Sequence, residues 1–82
     1  MMDVSELMRI VHAEALDTPV LYGEGRLHDD AVVLERDGDA WRVYLVDERE
    51  AVIESTLRAF DNEPDALERV LLKLRQSADT PR

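Results

Sequence analysis

The chain contains no cysteine, which rules out disulfides, thiolate nucleophiles and the usual structural zinc sites. It has one lysine, Lys73, and its other nine cations are arginines that nowhere form a basic run. Against them stand 19 carboxylates, for a formal charge of −9. Such a field repels phosphate backbones and anionic lipid, so no nucleic acid and no membrane is expected as a partner. It would attract a basic protein and speed its approach. No long apolar run occurs, and Asp3, Glu6, Arg9, Glu14 and Asp17 interrupt any secretory signal core. A cytoplasmic protein is the expectation.

With 82 residues there is room for one hydrophobic core. The hydrophobic content of 45% argues for a folded chain despite the charge. Stability at typical per-residue values would be roughly 4–12 kcal/mol. The expected organisation is a single α+β domain over residues 1–76 and a frayed tail over 77–82.

Val4, Leu7, Met8, Val11, Ala15 and Leu16 recur at helical spacing, which predicts a helix from Val4 to Leu16. Asp3 is placed to cap it, with Glu6 completing a capping box and Pro19 closing the far end. Val20, Leu21 and Tyr22 suggest a short strand before the turn residues Gly23 and Gly25. Residues Ala31–Arg36 and Trp41–Val46 flank Asp37-Gly38-Asp39-Ala40, a hairpin signal. Strand alternation puts Val32, Leu34, Trp41, Val43 and Leu45 on the core face, and Val33, Glu35, Arg42 and Tyr44 on the other.

A third strand, Val52–Phe60, is expected to add Ile53, Ser55, Leu57 and Ala59 to the core face by pairing Ile53 with Leu45. The connection is then an odd, bulged loop at Glu48-Arg49-Glu50, with Arg42 near Glu54 and Thr56 across the strands. Asp61 or Asn62 should cap a second helix, Glu63–Gln76, with Leu67, Val70, Leu71 and Leu74 as its apolar stripe. Lys73 and Arg75 would then sit near its negative end. The predicted architecture is a three-stranded antiparallel sheet, four-stranded if Val20–Tyr22 joins it. Both helices pack on one face, and the other is left to water or a partner.

Little in the chain resembles catalytic chemistry. The two histidines, His12 and His28, fall on separate elements, so no metal or cofactor is expected. Ser5, Ser55 and Ser77 have no evident base beside them, and Gly23-Glu24-Gly25 lacks the lysine and helix of a phosphate loop. A protein that is not an enzyme is the expectation. The acids, however, gather. Asp29, Asp30, Asp47, Glu48 and Glu50 should meet at one end of the sheet, and Asp37, Asp39, Asp61, Glu63 and Asp65 at the other. Either rim suits the arginines and lysines of a partner, and Tyr44 on the outer face would supply either a rigid aromatic anchor or a cross-strand packing contact.

The run VVLERDGDAWRVYLVDERE, followed by AVIESTLRAFDNEPDALERVLLKL, resembles the small immunity proteins of bacterial polymorphic-toxin systems. The matching features are Trp41-x-Val43-Tyr44, the Glu48-Arg49 pair, Phe60 at a strand end, and Glu63-x-x-Ala66-Leu67. They span about half the chain, and Glu50 stands where the pattern has glycine. The resemblance implies an antitoxin that neutralises a toxin of the same cell by stoichiometric binding and catalyses nothing. Its partner would be a basic toxin domain. The alternative is a homodimeric scaffold or regulatory subunit paired through the open sheet edge or the outer face.

Overall fold

The computed structural model describes residues 2–79 of an α+β fold. Its elements in chain order are α1 (Val4–Ala13), β1 (Val20–Leu21), β2 (Val32–Asp37), β3 (Ala40–Val46), β4 (Val52–Phe60) and α2 (Glu63–Asp79). The strands form one sheet in the order β1-β2-β3-β4. The short fourth strand exists, but β1 runs parallel to β2, with Val20 beside Val33 and Leu21 beside Leu34. The sheet is therefore mixed. Residues 22–31 carry the chain back to the end at which β1 began, so β2 sets off in the same direction.

The main core has the composition that periodicity predicts. Leu7 and Val11 of α1, Val32, Leu34 and Val43 of the hairpin, and Ala66, Leu67, Val70, Leu71 and Leu74 of α2 are buried together. Both helices cover one face. The hairpin register pairs Val32 with Leu45, Leu34 with Val43, and Arg36 with Trp41. Its turn places Gly38 at φ +61°, the single positive φ that a type II′ connection requires at its first central residue.

Three expectations are corrected. Helix α1 stops at Ala13, because Ala15 turns left-handed at φ +53°. Leu16 N–H donates to Val11 O at 2.9 Å and Ala15 N–H to His12 O at 3.3 Å, a Schellman closure that leaves Ala15 exposed. Helix α2 continues through Ser77 to Asp79, since no glycine or proline interrupts it there. Lys73 and Arg75 thus lie further from its end than the expected boundary implied, and the last turn holds no basic residue. Residues 80–82 of the expected tail lie outside the described residues.

The third correction concerns β4. Leu45 pairs with Ile53 as expected, but Val43 pairs with Arg58, Arg42 with Ala59 and Trp41 with Phe60. Four residues, 54–57, therefore oppose Tyr44 alone, and this bulge inverts the alternation. Arg58 and Phe60 share the face of Val43 and Trp41 in place of Ala59. The Thr56 hydroxyl holds the bulge by accepting from Leu45 N–H at 2.9 Å and donating to Ile53 O at 2.6 Å. Arg42 turns instead to Glu35 and Asp37.

The outer face is not simply open. Val20, Ala31, Val33 and Val46 are buried there as a second small core, with Leu27 and Tyr44 packed against it. Both N-caps form, although the Glu6 side chain makes no return bond to Asp3 N–H among the described residues. Asp3 Oδ1 accepts from Glu6 N–H at 2.8 Å, and Asn62 Oδ1 from Asp65 N–H at 2.9 Å. Among the described residues no helix is long and apolar enough to cross a membrane.

Two measurements check this account. Leu67→Ala should lower the urea-unfolding free energy by about 2–5 kcal/mol, the usual cost of a cavity in such a core. Ala15→Gly should raise it by about 0.5–1 kcal/mol, because relief of roughly 1–2 kcal/mol of left-handed strain exceeds the entropy glycine adds to the unfolded chain.

Candidate functional site

The topology brings both acidic rims together as the chain order predicts. At one end, Asp30 N–H donates to Val46 O at 3.0 Å, which sets Asp29 and Asp30 beside the β3–β4 loop. In that loop Asp47 Oδ1 accepts from Arg49 N–H at 2.8 Å and Ala51 N–H at 3.0 Å, while Asp47 N–H donates to Ala51 O at 3.0 Å. Asp47 is thus committed to building the turn. Glu50 closes it at φ +63°, a conformation that glycine adopts at no steric cost. Asp29, Glu48 and Glu50 are exposed, whereas Asp30 and Asp47 are half-buried.

At the opposite end lie Asp37 and Asp39 of the hairpin turn and Asp61, Glu63 and Asp65 at the start of α2, joined by the pairing of Trp41 with Phe60. Asp37 Oδ2 meets Arg42 Nη2 at 3.1 Å. Asn62 Nδ2 donates to Asp61 Oδ1 at 2.8 Å and to Asp65 Oδ2 at 3.0 Å, so one amide tethers two carboxylates. Asp39 is exposed and makes no ion pair among the described residues. The carboxylates of this rim are therefore only partly neutralised.

Of the two roles open to Tyr44, the structure shows cross-strand packing. The ring is half-buried against the outer-face core, and its hydroxyl donates to Glu35 Oε2 at 3.2 Å. The exposed tyrosine is Tyr22, at 42% of its surface.

Tyr22 is the residue that sequence reasoning did not single out. Leu21 and Glu24 exchange both backbone hydrogen bonds at 3.0 Å around Tyr22 and Gly23, whose φ values are +54° and +82°. Two successive positive φ values mark a type I′ turn, which normally takes Asn-Gly. A bulky aromatic at the first position is strained and is a pointer to function. Its hydroxyl donates to Glu63 Oε2 and accepts from Trp41 Nε1 at 3.1 Å. Arg36 stacks over the Trp41 ring, 4.9 Å from its centroid. The only sequence signal for this arrangement was the Tyr-Gly dipeptide at a turn.

Beside Tyr22 opens an apolar cleft of about 490 Å³ between α1 and β1. Val4, Met8, Pro19 and Leu21 line it, together with Glu24. The second acidic rim, a fixed aromatic and an apolar recess therefore adjoin one another. No group of three or more His, Asp or Glu that could hold a metal occurs among the described residues. His28 Nδ1–H donates to Asp29 O at 2.9 Å, and His12 is exposed on α1.

Burial raises both tyrosine phenols above their ordinary range. Glu63 reinforces the effect at Tyr22, and Glu35 does so at Tyr44. A group whose folded pKa is raised contributes stability fully below its unfolded pKa and loses it as pH climbs through the folded value. Absorbance titration at 295 nm should therefore show both tyrosines ionising later than free tyrosine. The tyrosine contribution to unfolding free energy should be lost only above about pH 10. Tyr22→Phe should shift the onset for the remaining tyrosine little.

Compared with known proteins, the chain matches no family model, no curated protein and no solved structure.

Proposed function

We propose that this domain is a cytoplasmic protein-binding module that acts as a stoichiometric inhibitor, an immunity protein for a toxin domain with a basic surface. The observation that carries the reading is Tyr22. It is exposed, strained and hydrogen-bonded on both sides, and it stands between an apolar cleft and the rim of Asp37, Asp39, Asp61, Glu63 and Asp65. Interfaces draw most of their energy from a few rigid aromatic anchors surrounded by polar groups. A tyrosine fixed by Trp41 and Glu63 has little side-chain entropy left to lose when a partner covers it. The excess of carboxylates supplies steering toward arginines and lysines. The resemblance over residues 32–74 supports the same class, because such inhibitors block basic active-site grooves.

The alternative of a homodimer through the sheet edge is weakened by β4 itself. Its bulge breaks the flat ladder that a second strand needs, and Arg58 Nη1 donates to Ser55 O at 3.3 Å and Leu57 O at 2.8 Å. Both features blunt an edge against pairing.

The test is calorimetric titration against the protein encoded by the adjacent gene, together with rescue of growth when the two are co-expressed. Tyr22→Asn should leave unfolding free energy within about 1 kcal/mol, since relieved strain offsets the lost hydrogen bonds. It should weaken binding by about 2 kcal/mol or more, the range of an interface anchor. Asp39→Lys should slow association and flatten its salt dependence while leaving dissociation nearly unchanged. A Tyr22→Asn variant that binds and protects as well as the parent would overturn the reading.

A further inference from the structure

The sequence has no basic run, yet the fold assembles three cations on one face. The bulge in β4 turns Arg58 to the helix-covered side of the sheet, in register with Val43. Helix α2 packs against β4 and carries Arg69 and Lys73 one turn apart. Burial, followed by the charges of Arg69 and Arg58, pulls the Lys73 ammonium below its ordinary range, so the three positive charges feel one another.

In a chain with 19 carboxylates and ten cations, three neighbouring cations with no acid paired to any of them among the described residues are unexpected. Asp65, one turn before Arg69, is held by Asn62 instead. Arg69 Nε is shut off from solvent and has no hydrogen-bond partner among the described residues. The Arg58 guanidinium is fixed through Nη1 to two carbonyls, which leaves its other nitrogens to donate elsewhere. Lys73 Nζ spends one donor on Gln76 Oε1 at 3.3 Å.

We propose that Arg58, Arg69 and Lys73 form a binding site for a phosphate-class dianion. Each keeps donors for an oxyanion, and a dianion would relieve their mutual repulsion. The guanidinium fork suits phosphoryl oxygens, and the ammonium adds a point charge. The nearest rim carboxylates, Asp61 and Asp65, are both engaged by Asn62 Nδ2, and those of the opposite rim are screened over about 8–10 Å at ordinary salt. The site lies apart from Tyr22 and is independent of the inhibitor reading.

The experiment is an amide-resonance titration of the intact chain with inorganic phosphate and, separately, glycerol phosphate, with ionic strength held constant by sodium chloride. Saturable shifts are expected around residues 58, 69 and 73 at low-millimolar anion. Tighter binding of one ligand would tell free from esterified phosphate, and either result supports the site. Lys73→Gln and Arg69→Gln should each weaken binding about tenfold, a loss typical of a charge-assisted contact. Arg49→Gln, in the distant β3–β4 loop, should leave it unchanged. Non-saturating shifts, or equal shifts at Arg26 and Arg49, would overturn the proposal. So would shifts that follow protein concentration rather than phosphate, which would assign the three cations to the acidic rim of a second copy.

Discussion

Everything in this fold rests on the burial of one face of α2 against the β2–β3 hairpin. Leu67, Val70, Leu71 and Leu74 recur every three or four residues, and Val32, Leu34 and Val43 recur every two. The two periods can share a core only if the hairpin keeps its register, because a slip of one residue would turn Val33 and Tyr44 inward. Leu7 and Val11 complete that core from the other helix. A domain this small has little stability to spare, so this contact decides whether it folds.

The same constraint sorts the charges. With the sheet face and helix stripes apolar, carboxylates are left to loops and helix starts, where they build turns and caps. Asp47 organises the β3–β4 loop, Asp3 caps α1, and Asn62 draws in Asp61 and Asp65. Arginines divide between pairing and isolation. Arg42 bridges to Glu35 and Asp37, and Arg75 Nε donates to Glu14 Oε1 at 2.9 Å, which holds the Glu14 carboxyl below its usual range. Arg58, Arg69 and Lys73 are left together. The two ends of the sheet thus gather carboxylates, while three cations that make no ion pair among the described residues lie on β4 and α2.

Backbone strain follows a related division. Ala15, Asp30 and Glu50 take positive φ where a helix ends or a loop closes, positions at which the chain must reverse within a few residues. Tyr22 occupies a similar turn, but its ring is held at the surface by two partners distant in sequence. A smaller residue would satisfy the turn with less strain. The ring also lines the apolar cleft between α1 and β1.

The helix stripes, the hairpin register, the Leu45–Ile53 pairing, the three-residue loop and both caps were legible in the sequence because each depends on residues close together in the chain. So was the gathering of acids into two rims, which needs only strand direction and loop position. The β4 bulge was not legible, since the Thr56 hydroxyl that sustains it bonds Leu45, 11 residues away across the strands. The parallel setting of β1, the second core under Leu27 and the contact of Tyr22 with Glu63 also join segments far apart. The sequence left Tyr44 between interface anchoring and cross-strand packing, because its exposure depended on whether Leu27 would pack over that face. Sequence by itself determined which residues are apolar and at what period. Tertiary structure alone decided which polar side chains meet, because hydrogen bonds and charge clusters depend on distances that periodicity does not encode.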